Sequence, residues 1–269
     1  MYLEWAPHRD LADVIDQFWN QNEHIPEPMI WYVAEALAEC GLAMEQGGLA
    51  GREADWDEIV HRDLKPMNVF LDAPDENRYT RYPKPLLGDF GLALKTKPND
   101  PNNPCWYNKG EGTDGFLAPE HSSWIDAQTW APIEVRRLDS KTNVYGMGLI
   151  LWCLIMREQN PPQPLWLGDG NNNTALVLPA APGQRAHHYS KALGDLVESC
   201  VRFRPMNRPS FQTILDIIWH STDESPGAPN LALNMRTGTA SAATAAAQEV
   251  PPLHDNYELG LARGQVVNR

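Results

Sequence analysis

Lysine is absent from the first 64 residues of this 269-residue chain, and Lys65 is the first to occur. Cysteine is scarce as well. Cys40, Cys105, Cys153 and Cys200 lie far apart and form no C-x-x-C pair, which argues against a disulfide scaffold or a zinc module and suits a reducing compartment. No apolar run is long enough to span a bilayer; the longest, Tyr145 to Met156, reads as a buried helix. The N-terminus has no basic segment followed by an apolar one, so no secretory leader is expected. Positive charge is in deficit, with 22 Lys plus Arg against 35 Asp plus Glu and a net charge of −13. Such a chain is repelled by phosphate backbones, which argues against nucleic acid as its main partner. The expectation is a soluble intracellular protein of one or two domains, cytoplasmic or nuclear, with no membrane partner.

Local signals divide the chain. Residues 1–8 read as the end of a strand entering a bend at Pro7, and Asp10 is a candidate N-cap for a helix to about Asn20. Pro28 suits the first turn of a second helix, in which Ile30, Val33, Ala34, Leu37, Cys40 and Met44 keep the 3.6-residue period until Gly47-Gly48. Short β-type runs follow at Ile59-Val60, Val69-Phe70-Leu71 and Leu86-Leu87-Gly88, the last two separated by a hydrophilic stretch. Residues 92–112 and 158–188 read as long irregular connections. Asn143 to Met156 is apolar all round, as in a central helix, and Tyr189 to Phe203 and Pro209 to His220 read as two amphipathic helices. Most of the ten tryptophans, Trp31 and Trp152 among them, fall at core-facing positions. From residue 222 the composition shifts to Ala, Thr, Ser, Gly and Pro, so residues 222–269 are expected to be a solvated low-complexity tail.

One constellation carries chemistry. His61-Arg62-Asp63-Leu64-Lys65-Pro66-Met67-Asn68 is followed by Asp89-Phe90-Gly91 and then by Ala118-Pro119-Glu120. Each tripeptide alone is weak; the octapeptide with two ordered partners is not. Together they resemble the catalytic loop, metal-binding segment and anchor of a eukaryotic protein kinase of the serine/threonine type, with a leaning towards NimA-related kinases. The resemblance covers roughly residues 1–220 and implies an α+β fold, the mainly α-helical C-terminal lobe of a kinase with short β-hairpins. It also implies ATP and Mg²⁺ as cofactors and a protein Ser/Thr hydroxyl as acceptor.

The same resemblance assigns residues. Asp63 would accept or orient the acceptor's proton, and Lys65 would reach the γ-phosphate. Asn68 and Asp89 would supply oxygen ligands to Mg²⁺. Thr113, in Gly112-Thr113-x-Gly115-Phe116, would bond Asp63 and Lys65. Leu3 would be the gatekeeper, with Glu4 and Ala6 facing adenine through their backbones, Asp10 near the ribose and Phe70 as the adenine floor. Arg208 would pair with Glu120. Arg62 marks the subtype whose activation loop a phosphate–guanidinium pair can hold; Thr96, Tyr107 and Thr113 are the candidate modification sites there, with Thr113 the more structural.

Three departures accompany the match. No G-x-G-x-x-G precedes the catalytic loop, and the lysine expected on an upstream strand is missing, so residues 1–221 are expected to be a partial domain without its N-terminal lobe. Asn143 stands where the family has an aspartate, which removes a charge from the bond to the catalytic-loop backbone. Asp114 replaces a common proline. His187-His188 reads as a solvated helix start, and the sequon Asn172-Asn173-Thr174 as incidental. Two functions follow: a serine/threonine kinase, or an impaired kinase-like module that binds proteins.

Overall fold

The computed structural model describes residues 6–97, 99–101, 103, 111–121, 137–162, 178 and 184–222. Leu3, Glu4, Cys105, Tyr107, the sequon and the tail from residue 223 lie outside them. Helix α1 is Leu11–Gln21, capped by Asp10, whose Oδ1 accepts the amides of Ala12 at 2.9 Å and Asp13 at 3.1 Å. This is the N-cap read from the sequence. Helix α2, Glu27–Gln46, carries Pro28 in its first turn and ends on Gly47 in the left-handed region. Its burial is wider than one stripe, because helices at Ser140–Met156 and Phe211–Thr222 both pack on it.

Two antiparallel ribbons follow. Strand β1 (Glu58–Val60) pairs with β4 (Leu94–Thr96), and β2 (Val69–Pro74) pairs with β3 (Pro83–Leu87) in the register Val69 opposite Leu87. Strand β4 falls inside the stretch expected to be irregular. Its three residues show no alternation of their own, and β1 supplies the pairing. The hydrophilic stretch before β3 also differs from expectation. It folds back on α2, stacking Tyr79 on Tyr32 at 4.5 Å and placing Arg78 against Glu35 (3.0 Å) and Glu39 (2.9 Å). Tyr79 and Tyr82 are buried there.

Helix α3, Ser140–Met156, opens on a capping box between Asp139 and Thr142. Every residue from Thr142 to Met156 is buried, as an all-round apolar helix requires. Gly146 makes room for the 61–68 loop: a Cβ there would lie 2.7 Å from the Leu64 Cβ. Helices α4 (Lys191–Cys200, capped by Ser190) and α5 (Phe211–Thr222) complete the core. Helix α4 is shorter than the sequence suggested, since the flanking residues form turns rather than helix, whereas α5 has the expected length and lies two residues further along the chain. Trp31 and Trp152 are core residues, but Trp19 and Trp219 are exposed at 49% and 51%, so the expected core placement fails for them; His187 and His188 are exposed in a short 3₁₀ turn. Among the described residues, five α-helices and two small antiparallel ribbons make up the expected α+β architecture. No described helix is long and apolar enough to cross a membrane.

Candidate active site

Residues 61–68 leave β1 and are held from beneath by α3. Asn143 Oδ1 accepts the backbone N–H of His61 at 2.9 Å, and its Nδ2 donates to the carbonyl of Ile59 at 2.8 Å. The amide thus replaces a charge with a second hydrogen bond. His61 is fully buried, and burial pushes its ring pKa down, so it is neutral. Its Nδ1 accepts the Asp63 N–H at 3.3 Å, which leaves Nε2–H to donate to the Gly88 carbonyl at 2.9 Å. The ring therefore ties the Asp63 loop to the residue before Asp89. That role was missed in the sequence, where His61 read as one letter of a motif.

Asp63, Lys65 and Thr113 form a closed triangle. Thr113 Oγ1 donates to Asp63 Oδ1 at 2.6 Å, while Lys65 Nζ donates to Asp63 Oδ2 at 2.9 Å and to Thr113 Oγ1 at 2.8 Å. Asn68 Nδ2 adds bonds to the Asp63 carbonyl (2.8 Å) and Oδ2 (3.0 Å). Burial alone would raise the Asp63 pKa, but the bonds from Thr113, Lys65 and Asn68 outweigh it and hold the carboxyl below its usual range. It is held as a carboxylate, the form that can accept a hydroxyl's hydrogen bond and its proton.

Asn68 and Asp89 are brought together through the backbone, Gly88 N donating to the Asn68 carbonyl at 2.9 Å. Asp89 is exposed in the left-handed region, with Gly91 N reaching its Oδ1 at 3.4 Å. Because Asn68 spends its Nδ2 on Asp63, its amide oxygen is the atom left to coordinate. Among the described residues no three His, Cys, Asp or Glu side chains gather to form a protein cage. One amide and one carboxylate oxygen fit Mg²⁺ all the same, since that ion takes few protein ligands and completes its shell with water and phosphate.

Phe70 is 37% exposed, and its ring lies against Gly88, where a Cβ would meet it at 2.7 Å. A bridge joins Phe70 to Asp10. Asp10, Phe70, Gly88 and Asp89 thus form one connected surface. Both capping bonds of Asp10 fall on Oδ1, so Oδ2 is outside them. Ala6 is half-buried at the margin of the described chain.

Two further features flank the site. The guanidinium of Arg208 meets the carboxylate of Glu120 in a bidentate pair at 2.6 and 2.8 Å, both side chains fully buried, as the resemblance implied. Thr96, by contrast, is not available for modification. It is 3% exposed, and its hydroxyl receives Asn103 Nδ2 at 2.8 Å and Arg137 Nη2 at 3.3 Å. Pairing in β4 turns it inward, which a reading of that stretch as loop could not show. Neither Asn103 nor Arg137 carries a sequence signal.

The sequence matches the protein kinase domain family over residues 1–220. It is 28% identical over 224 residues to the eIF-2-alpha kinase GCN2 of Schizosaccharomyces pombe, covering 80% of this chain and 12% of that protein. It is 25% identical to the G2-specific protein kinase nimA of Emericella nidulans (80% of this chain, 29% of that one) and 25% identical to the serine/threonine-protein kinase Nek2 of Mus musculus (80% and 41%). The chain thus spans less than half the length of these relatives. With a match over its whole described core, the chain belongs to the protein kinase family.

Proposed function

We propose that this lobe works in transfer of the γ-phosphoryl group of ATP to a Ser or Thr hydroxyl of a protein substrate. The observation that carries the reading is the closed triangle of Asp63, Lys65 and Thr113. In the step, the acceptor oxygen forms a bond to Pγ, the bond from Pγ to the bridging oxygen breaks, and ADP leaves. Asp63 orients the hydroxyl and takes up its proton as the new bond forms. Lys65 presents a point charge to the phosphoryl oxygens, and Thr113 fixes both partners at hydrogen-bond distance. Asn68 and Asp89 would hold Mg²⁺ through their side-chain oxygens. That ion supplies charge neutralisation on the phosphates. Ala6, Asp10 and Phe70 form the nucleoside side of the site; Glu4, assigned there by the resemblance, lies outside the described residues.

Mg²⁺-dependent ATP binding, followed by calorimetry, tests the assignment. Asp89→Ala should remove the Mg²⁺ dependence; equal, Mg²⁺-dependent binding by the variant would contradict it. The second reading is a protein-binding module. It requires partner binding that Asp89→Ala leaves unchanged and no ATP binding by the wild-type chain.

A further inference from the structure

Residues 111–113 lie on residues 62–65, contact by contact. The Glu111 carboxylate is ion-paired with Nη1 of Arg62, whose side chain is 10% exposed. Gly112, at φ +119°, packs on the Arg62 backbone so closely that a Cβ would come within 2.5 Å of its carbonyl oxygen. Thr113 then bonds Asp63 and Lys65. On its other side, Arg62 Nε donates to the carbonyl of Leu92, one residue beyond Asp89-Phe90-Gly91. Arg62 itself has φ +67°, a left-handed conformation that a non-glycine residue keeps only where its surroundings over-determine it.

We infer that Glu111 is a positioning residue: its carboxylate supplies, from within the chain, the anion that holds Arg62, and thereby locks the 111–113 segment and the Leu92 turn onto the catalytic loop without a phosphate. The inference rests on the kinase reading of the site. A charge-assisted bond to a guanidinium does for one carboxylate what a phosphate would do with a larger charge. The hydroxyls in the described part of the segment agree with this. Thr96 is buried and Thr113 is engaged with Asp63, so both already serve the folded arrangement.

Hydrogen exchange on the full chain tests the inference without requiring turnover, so a failed transfer assay and a failed lock are told apart. In Glu111→Gln, amides of residues 112–117 and 92–94 should exchange about tenfold faster, the order of one charge-assisted hydrogen bond. The amides of 144–154 in α3 should be unchanged. The excess protection in the wild type should fade as sodium chloride rises, whereas the variant should be insensitive, a signature that packing alone would not give. Phosphatase treatment should leave the wild type unaltered. Exchange in the variant within about twofold of wild type would overturn the inference, being less than such a bond is worth. Loss of wild-type protection on phosphatase treatment, as would follow if phosphate on Tyr107 were the true anchor, would overturn it too. If α3 loosens in Glu111→Gln, the wild-type salt titration decides: loosening confined to 92–94 and 112–117 supports the lock, and none contradicts it.

Discussion

Asn143 and His61 are joined at 2.9 Å, side-chain oxygen to backbone N–H, across 82 residues of sequence. The bond fixes the start of the catalytic loop to the central helix. With the second bond to Ile59, it satisfies a buried donor and a part-buried acceptor. Asn143→Ala would orphan both, at about 1–3 kcal/mol for each buried group. We expect about 2–4 kcal/mol of lost stability by denaturant unfolding. A change below about 0.5 kcal/mol, the usual size of a surface substitution, would show the bonds to be incidental.

Glu58 gives the fold a pH dependence. Its carboxylate sits at the start of β1, accepts the Ser140 amide and faces Asp139 and Glu45; burial first, then those two charges, push its pKa up to about 7 from 4.5. A carboxyl raised in the folded state stabilises fully below its unfolded value and loses that contribution as pH climbs through the folded one. Glu58→Gln should therefore match the wild type near pH 4 and exceed it by about 1–2 kcal/mol above pH 7, less than full linkage because solvent reaches the side chain. Melting curves across that range measure the gap. A gap that shrinks with rising pH would refute the assignment.

The Glu120–Arg208 pair predicts a large structural effect. Arg208 also donates to the carbonyls of Arg202, Lys141 and Phe203 at 2.7–2.9 Å, so all five of its N–H groups are used. Although burial alone would raise the Glu120 pKa, Arg208 holds it down. Removing one partner leaves a buried charge, so Glu120→Ala should cost about 3–5 kcal/mol. Arg208→Lys should rescue little, since an ammonium has three donors and no planar fork. Equilibrium unfolding of both variants checks this.

For Thr113 the expected effect is on rate. Thr113→Val removes the donor to Asp63 and the acceptor for Lys65, so kcat should fall about 10–100-fold through misplacement. KM for ATP should stay within about twofold, since ground-state binding is untouched. Thr113→Ser should restore most of the rate. A valine variant with unchanged kcat would remove Thr113 from the site.

Much of this was legible in the sequence, for physical reasons. The 61–68 string, Asp89-Phe90-Gly91 and Ala118-Pro119-Glu120 stand out because three such strings seldom occur in that order together. Asp10, Pro28 and Gly47 announce helix ends because capping is a local event. What stayed hidden depends on partners far along the chain. Leu94–Thr96 becomes a strand because β1 is beside it, and Thr96 is buried for the same reason. Tyr79 and Tyr82 reach the core because a polar stretch doubles back on α2. Glu111 reads as one more acidic residue until Arg62 is seen beside it, and the second bond of Asn143 cannot be read from its position in a helix.

The most direct measurement is phosphate transfer from γ-labelled Mg-ATP to a Ser/Thr-containing protein, with Asp63 compared against Asp63→Asn. It is made in a chain carrying a Gly-rich loop and strand lysine ahead of residue 1. The account predicts labelled substrate with Asp63 and about 10²-fold or more less with the asparagine, the scale of a lost general base. Equal labelling by the two proteins, or none by either, would contradict it.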